Sequence, residues 1–191
     1  MNIELTPAYI WSQVFTVIMY VILMICYQLK KRKSILVASI IALLCNMAAY
    51  ILLQAWTGLA MCVIALFRNL YSYWDESVHP GQTKITTRDT IILIVIYIAM
   101  ILVSVPTYDG FLSLMSVFAT MAYTYSIWQK NTLLYKFMGV PVGILWIVYN
   151  AFVGSFFGVT LEAVLCVASL IGFIVALRAK KNGKRHKKSH R

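Results

Sequence analysis

Acidic residues are scarce in this chain: six Asp and Glu stand against seventeen Lys and Arg, for a net charge of +11. The one adjacent acidic pair, Asp75-Glu76, sits beside Trp74 in a charged segment, where such pairs are ordinarily solvated rather than metal-bound. Cysteine is also sparse. Cys26, Cys45, Cys62 and Cys166 form no C-x-x-C pair, and His79, His186 and His190 all lie away from them. Zinc needs about four N or S ligands in one place, so no metal or cofactor is expected, and the cysteines read as small apolar residues. No G-x-S-x-G, H-E-x-x-H or phosphate-cradling G-x-x-x-x-G-K-[ST] run occurs, which removes the common enzyme signatures. Residues 1–9 hold no basic residue and no small-residue cleavage site follows, which argues against a signal peptide.

What is present is apolar. Hydrophobic residues make up 61% of the 191 positions, and the mean hydropathy is +0.80. A membrane span needs roughly 20 apolar residues. Seven such stretches fit: residues 7–29, 35–54, 58–73, 90–105, 111–128, 133–153 and 157–177. If the connections alternate between inside and outside, the inside set holds Lys30–Lys33, Arg68, Lys84, Arg88, Lys130, Lys136 and the eight basic residues from Arg178 to Arg191. The outside set holds none. Cationic loops resist translocation, so the pattern predicts an outside N-terminus and a cytoplasmic C-terminus. The basic tail has no aromatic to stack on a base and reads as an anchor on anionic lipid head groups, not as a nucleic-acid site. Trp11, Trp56, Phe156 and Phe157 gather at the expected outer surface, and Tyr71, Tyr73, Trp74 and Trp128 at the inner one, as amphipathic rings do.

The fold class is therefore all-α and membrane-integral, with seven transmembrane helices. The longest connection, 75–89, carries the Pro80-Gly81 turn signal and divides the spans three, one and three. A triplet repeated after one intervening span keeps its orientation, giving a parallel repeat. The expected units are a first three-helix bundle (1–74), a cytoplasmic loop (75–89), a linker helix (90–106), a second bundle (107–178) and a tail (179–191). A shift of one hundred positions sets Gly58 on Gly158, Trp56 on Phe156, Tyr50 on Asn150 and Asn46 on Trp146.

Polar groups in a hydrocarbon core must find partners or line a cavity. Asn46 and Tyr50 are four apart in one predicted helix, as are Trp146 and Asn150 in another, and a four-residue step returns to one helix face. Each bundle would offer one amide and one aromatic at matching depth, either as walls of a substrate pocket or as interhelical glue. Glu162 is the only acid well inside a span. Its insertion costs on the order of 3 kcal/mol, and it reads either as a proton or cation relay or as a carboxyl bonded locally near the outer interface. Arg68 and Asn69 lie near an inner span end, where an Arg either snorkels to phosphates or faces a cytoplasmic vestibule. Gly139 and Gly143 form a G-x-x-x-G step that lets another helix approach closely. Gly154 and Gly158 repeat that spacing across the outer turn.

The run WIVYNAFVGSFFGVTLEAV, from Trp146 to Val164, resembles the closing segment of the YgjV-type bacterial inner-membrane protein family. The Trp–x–x–x–Asn step, the Gly-Ser turn followed by a second Gly, and Glu162 four residues beyond that Gly carry the resemblance, together with Arg68-Asn69. It implies a multi-pass protein of the bacterial cytoplasmic membrane. The architecture implied is similar to the three-plus-one-plus-three plan of the SWEET sugar carriers and the PnuC vitamin-precursor carriers. The Pro-Gln pair of many such carriers is missing, and Pro141 lies in the second helix of its bundle. Two functions follow: a small-solute carrier working by alternating access, or a non-transporting scaffold that binds partners. The expected partners are the bilayer and a small-molecule solute, and the pattern also admits a homo-oligomer.

Overall fold

A computed structural model describes residues 6–107, 111–153 and 156–189. Among them the chain is all helical. The helices are α1 (Pro7–Gln28), α2 (Arg32–Leu52), α3 (Trp56–Val78), α4 (Thr87–Ser104), α5 (Phe111–Trp128), α6 (Thr132–Val153) and α7 (Phe156–Ser189), with a short 3-10 turn after α4. Five of them, α1, α2, α4, α6 and the Gly158–Asn182 part of α7, are long and apolar enough to cross a membrane. The sequence pattern predicts seven. Of the other two, α3 carries Arg68, Asn69, Asp75 and Glu76, and α5 intersperses Ser116, Thr120, Thr124 and Ser126 among its apolar residues.

Local signals explain the boundaries. Thr6 caps α1, its side chain accepting from the Tyr9 amide, and Pro7 occupies the first turn, where a missing N–H costs nothing. Thr86 and Asp89 form a reciprocal capping box at the start of α4. Helix α3 runs on to Val78, so the first residues of the expected 75–89 loop are helical. Helix α7 runs on to Ser189, so the basic tail continues the last span.

Helices α1, α2, α3, α5, α6 and α7 each pack on the next in that order, and α7 packs back on α1, so the contacts close a ring. Helix α4 lies outside the ring against α3 and α5. Its outer side chains, such as Val95 and Leu102, are exposed, as a lipid-facing surface requires. The ring closes tightly where α1, α6 and α7 meet. The Tyr27 ring stacks on Tyr135 with centroids 5.2 Å apart. A side chain at Gly172 would run into the Tyr27 carbonyl, and one at Gly139 into the Tyr27 hydroxyl and Ser169. At Gly143 it would meet Cys166. The Gly139–Gly143 step thus admits α7, as its spacing predicts.

The one-hundred-residue shift reappears in the helix boundaries. Gln28 and Trp128 end α1 and α5, Arg32 and Thr132 begin α2 and α6, and Trp56 and Phe156 begin α3 and α7. Burial repeats with it. Ile35 and Tyr135, Leu36 and Lys136, Ser39 and Gly139, Ala42 and Val142, Cys62 and Glu162, Ala65 and Leu165, Asn69 and Ser169, and Ser72 and Gly172 are all buried. The side chains of Phe156 and Phe157, and Gly154 itself, lie outside the described residues.

Candidate functional site

The buried stripes of α2 and α3 place polar groups inside the ring. On α3, Arg68 is the largest fully buried side chain, at 1% exposure. Its Nε donates to Asn69 Oδ1 at 2.9 Å and its Nη1 to Thr124 Oγ1 on α5 at 2.7 Å. Asn69 Nδ2 in turn donates to Ser39 Oγ on α2 at 2.8 Å. The guanidinium carbon stands 5.4 Å from the centre of the Tyr123 ring. Arg68 therefore neither snorkels nor lines an open vestibule in this structure. It lies about 15 Å from the end of α3, at about 1.5 Å rise per residue, and turns inward because α3 and α5 offer it oxygen and ring partners there.

Toward the opposite end of the ring the polar groups are half-buried. Asn46 continues the Ser39–Ala42 face of α2 and donates to Cys62 Sγ on α3 at 3.4 Å. Tyr50, on the same face, covers Gly58, where an added methyl would lie 2.9 Å from the Tyr50 ring. Trp146 and Asn150 share the Tyr135–Gly139–Val142 face of α6, and Trp146 meets Tyr149 edge-on at 5.5 Å. The expected pairs thus do share faces, on two helices of the ring. Glu162 on α7 is 7% exposed, and it accepts a hydrogen bond from Tyr20 Oη on α1 at 2.8 Å. That partner lies on the neighbouring helix of the ring, 142 residues away in sequence.

The basic end of the ring is closed by a charge network. Lys130 Nζ lies 2.6 Å from Asp75 Oδ2 and 3.0 Å from Asp89 Oδ2, with all three side chains buried. Arg88 and His79 each approach Asp75 at 3.5 Å. Arg32 Nε pairs with Glu76 at 3.2 Å, while its Nη2 donates to the Ile127 carbonyl at 2.9 Å. Tyr71 stacks on Trp128 at 5.4 Å and donates to Asp89. Arg88 covers the Tyr71 and Trp74 rings. The Asp75-Glu76 pair, expected to be solvated, instead joins α2, α3, α4 and the α5–α6 turn, because its neighbours supply the cations. Trp128, expected at the head-group level, is buried beneath Tyr71. Lys130 holds a left-handed backbone, φ +51°, which a non-glycine residue adopts at some cost.

Buried charges interrupt the otherwise matching halves, Lys136 opposite Leu36 among them. Arg68 corresponds to Ala168 and Glu162 to Cys62. A helical, lipid-embedded ring with an ionisable interior defines a multi-pass integral membrane protein. The family model of the Imp-YgjV bacterial inner membrane proteins matches residues 10–180, and the chain belongs to that family. It is a multi-pass protein of the bacterial inner membrane. No curated protein and no solved structure was found to match the chain.

Proposed function

We propose that this protein is a small-solute carrier that works by alternating access between two parallel triple-helix bundles, α1–α3 and α5–α7. The basic end faces the cytoplasm and is shut in this conformation. The observation that carries the proposal is the graded polar interior. Half-buried Asn46, Tyr50, Trp146 and Asn150 lead from the outer end toward fully buried Arg68, and a charge latch closes the ring beyond it. An interhelical scaffold gains little from such a lane, since a membrane hydrogen bond contributes only about 0.6 kcal/mol on average. A carrier needs it as a path for a polar solute.

The matching helix boundaries and burial support two like-oriented bundles. So does the contact order, because exchanging the halves turns the α3–α5 contact into α7–α1. Helix α4 serves as the linker that restores orientation. In this reading Asn46, Tyr50, Trp146 and Asn150 line the solute path, and Glu162, held by Tyr20, is the proton or cation relay.

The test is a solute screen on purified protein by thermal shift, followed by counterflow of any stabilising solute in proteoliposomes. A bound solute stabilises the state that holds it. Exchange that is lost in both Asn46→Leu and Asn150→Leu, with both variants folded, is the expected outcome. Solute-independent stability and absent exchange would instead favour a partner-binding scaffold.

A further inference from the structure

We propose that the Arg68 cluster is a carboxylate-recognition site, taking the carboxylate of a small monoanionic solute between α2, α3 and α5. The inference deepens the carrier reading and rests on it for the route of entry, but not for the binding itself.

Arg68 is a fixed cation, since a guanidinium is not deprotonated in proteins. It is fully buried, and among the described residues no carboxylate pairs with it. Its electrostatic neighbours are Tyr123, Tyr135, Cys62 and Tyr97, all neutral groups. Glu162, on α7, is engaged by Tyr20. Among the described residues the cation–carboxylate contacts collect in the latch at the basic end. Hydrogen bonds to Asn69 Oδ1 and Thr124 Oγ1 use two of the five guanidinium N–H donors. A guanidinium presents its donors in a planar fork that matches a carboxylate.

Nearby groups suit that occupant. Ser39 holds Asn69 beside the cation, the Tyr123 ring lies 5.4 Å from the guanidinium carbon, and the Tyr123 and Tyr135 hydroxyl oxygens are 3.5 Å apart. These are neutral donors and acceptors, so the site balances one negative charge. A doubly charged phosphate would leave an uncompensated charge in the interior, which is costly. Asn46 and Cys62, in contact with each other, lead from the outer polar half toward Arg68. Arg68 thus lies at the floor of the lane, above the latch.

The experiment uses the purified full chain in detergent and measures thermal unfolding with sodium acetate, pyruvate or benzoate, against sodium phosphate and sodium chloride at matched ionic strength. At least one monocarboxylate is expected to raise Tm by roughly 5 °C at a hundredfold excess over its dissociation constant. The rise should disappear in Arg68→Met and shrink in Arg68→Lys, which keeps the charge and loses the fork. An unpaired buried cation also destabilises the empty protein. Ligand-free Arg68→Met should therefore melt at or above the wild-type temperature, with Thr124→Val as a second variant that keeps the shape of the site and weakens the shift. Stabilisation by phosphate alone would overturn the carboxylate assignment. An Arg68→Met protein that melts several degrees lower, with no carboxylate shift in the wild type, would make Arg68 a structural group and overturn the site. Arg68-dependent binding without any exchange in proteoliposomes would uphold the site and remove the carrier reading.

Discussion

Lys130, in the α5–α6 turn, lies 2.6 Å from the carboxylate of Asp75 on α3, and both side chains are almost wholly buried. This ion pair joins the two halves of the chain at the basic end. A buried pair broken on one side leaves an unpaired charge and typically costs about 3–5 kcal/mol. Asp75→Asn and Lys130→Met should each destabilise strongly, and the double variant should recover much of the loss. Denaturation midpoints in detergent check this. Additive losses in the double-mutant cycle would mean that the two groups are not coupled.

The same latch predicts a conformational effect. If it holds the cytoplasmic end shut, Asp75→Asn should expose the floor of the lane. A cysteine placed at Ser39, in a background lacking the four native cysteines, should then react with a thiol reagent added from the basic side much faster than in the intact latch. Equal labelling rates would rule out a gating role.

Close helix approach gives a steric prediction. At Gly172 a methyl group would meet the Tyr27 carbonyl, which is backbone and cannot swing aside. At Gly143 it would meet the Cys166 thiol, a side chain. Overpacking typically costs about 1–3 kcal/mol, so Gly172→Ala should lie near the top of that range and Gly143→Ala below it. Comparing the two melting temperatures decides it, and the reverse order would contradict the packing described.

Glu162 separates relay from scaffold. Glutamine at this position can still accept the Tyr20 hydroxyl bond, so Glu162→Gln should fold with wild-type stability. It cannot cycle a proton, so solute uptake should lose its dependence on a proton gradient. Tyr20→Phe removes the hydroxyl that donates to the carboxyl and should be the more destabilising change, by about 1–3 kcal/mol. Uptake by Glu162→Gln that still follows the gradient would exclude the relay.

Orientation is checked by reporter fusions. Those after Lys33, His79 and Lys130 should report from the cytoplasm and one after Trp56 from outside. A single reversed fusion would break the seven-span assignment.

Much of this was legible in the sequence because it depends on periodicity. The shift that aligns Trp56 with Phe156 also aligns the helix starts, and the four-residue steps do put Asn46 with Tyr50 and Trp146 with Asn150 on common faces. The partners were not legible. Arg68 finds Thr124 at a separation of 56 residues, and α5 has several hydroxyls that look alike in sequence. Tyr20 meets Glu162 only because α7 closes back on α1. Asp75 and Lys130 each look like an ordinary surface charge until the ring brings the α3 end to the α5–α6 turn. Burial of a charge depends on which faces meet, and hydropathy along a single helix does not report that.

The mismatch of Arg68 with Ala168 and of Glu162 with Cys62 has an electrical consequence. Were the ring assembled from two identical three-helix chains, any charge placed inside would appear twice, as like charges facing one another in a medium that screens them poorly. Joining the halves into one polypeptide lifts that obligation. Arg68 can then stand in one half and Glu162 in the other with no copy of either opposite it, which no exact twofold assembly of the same units can achieve.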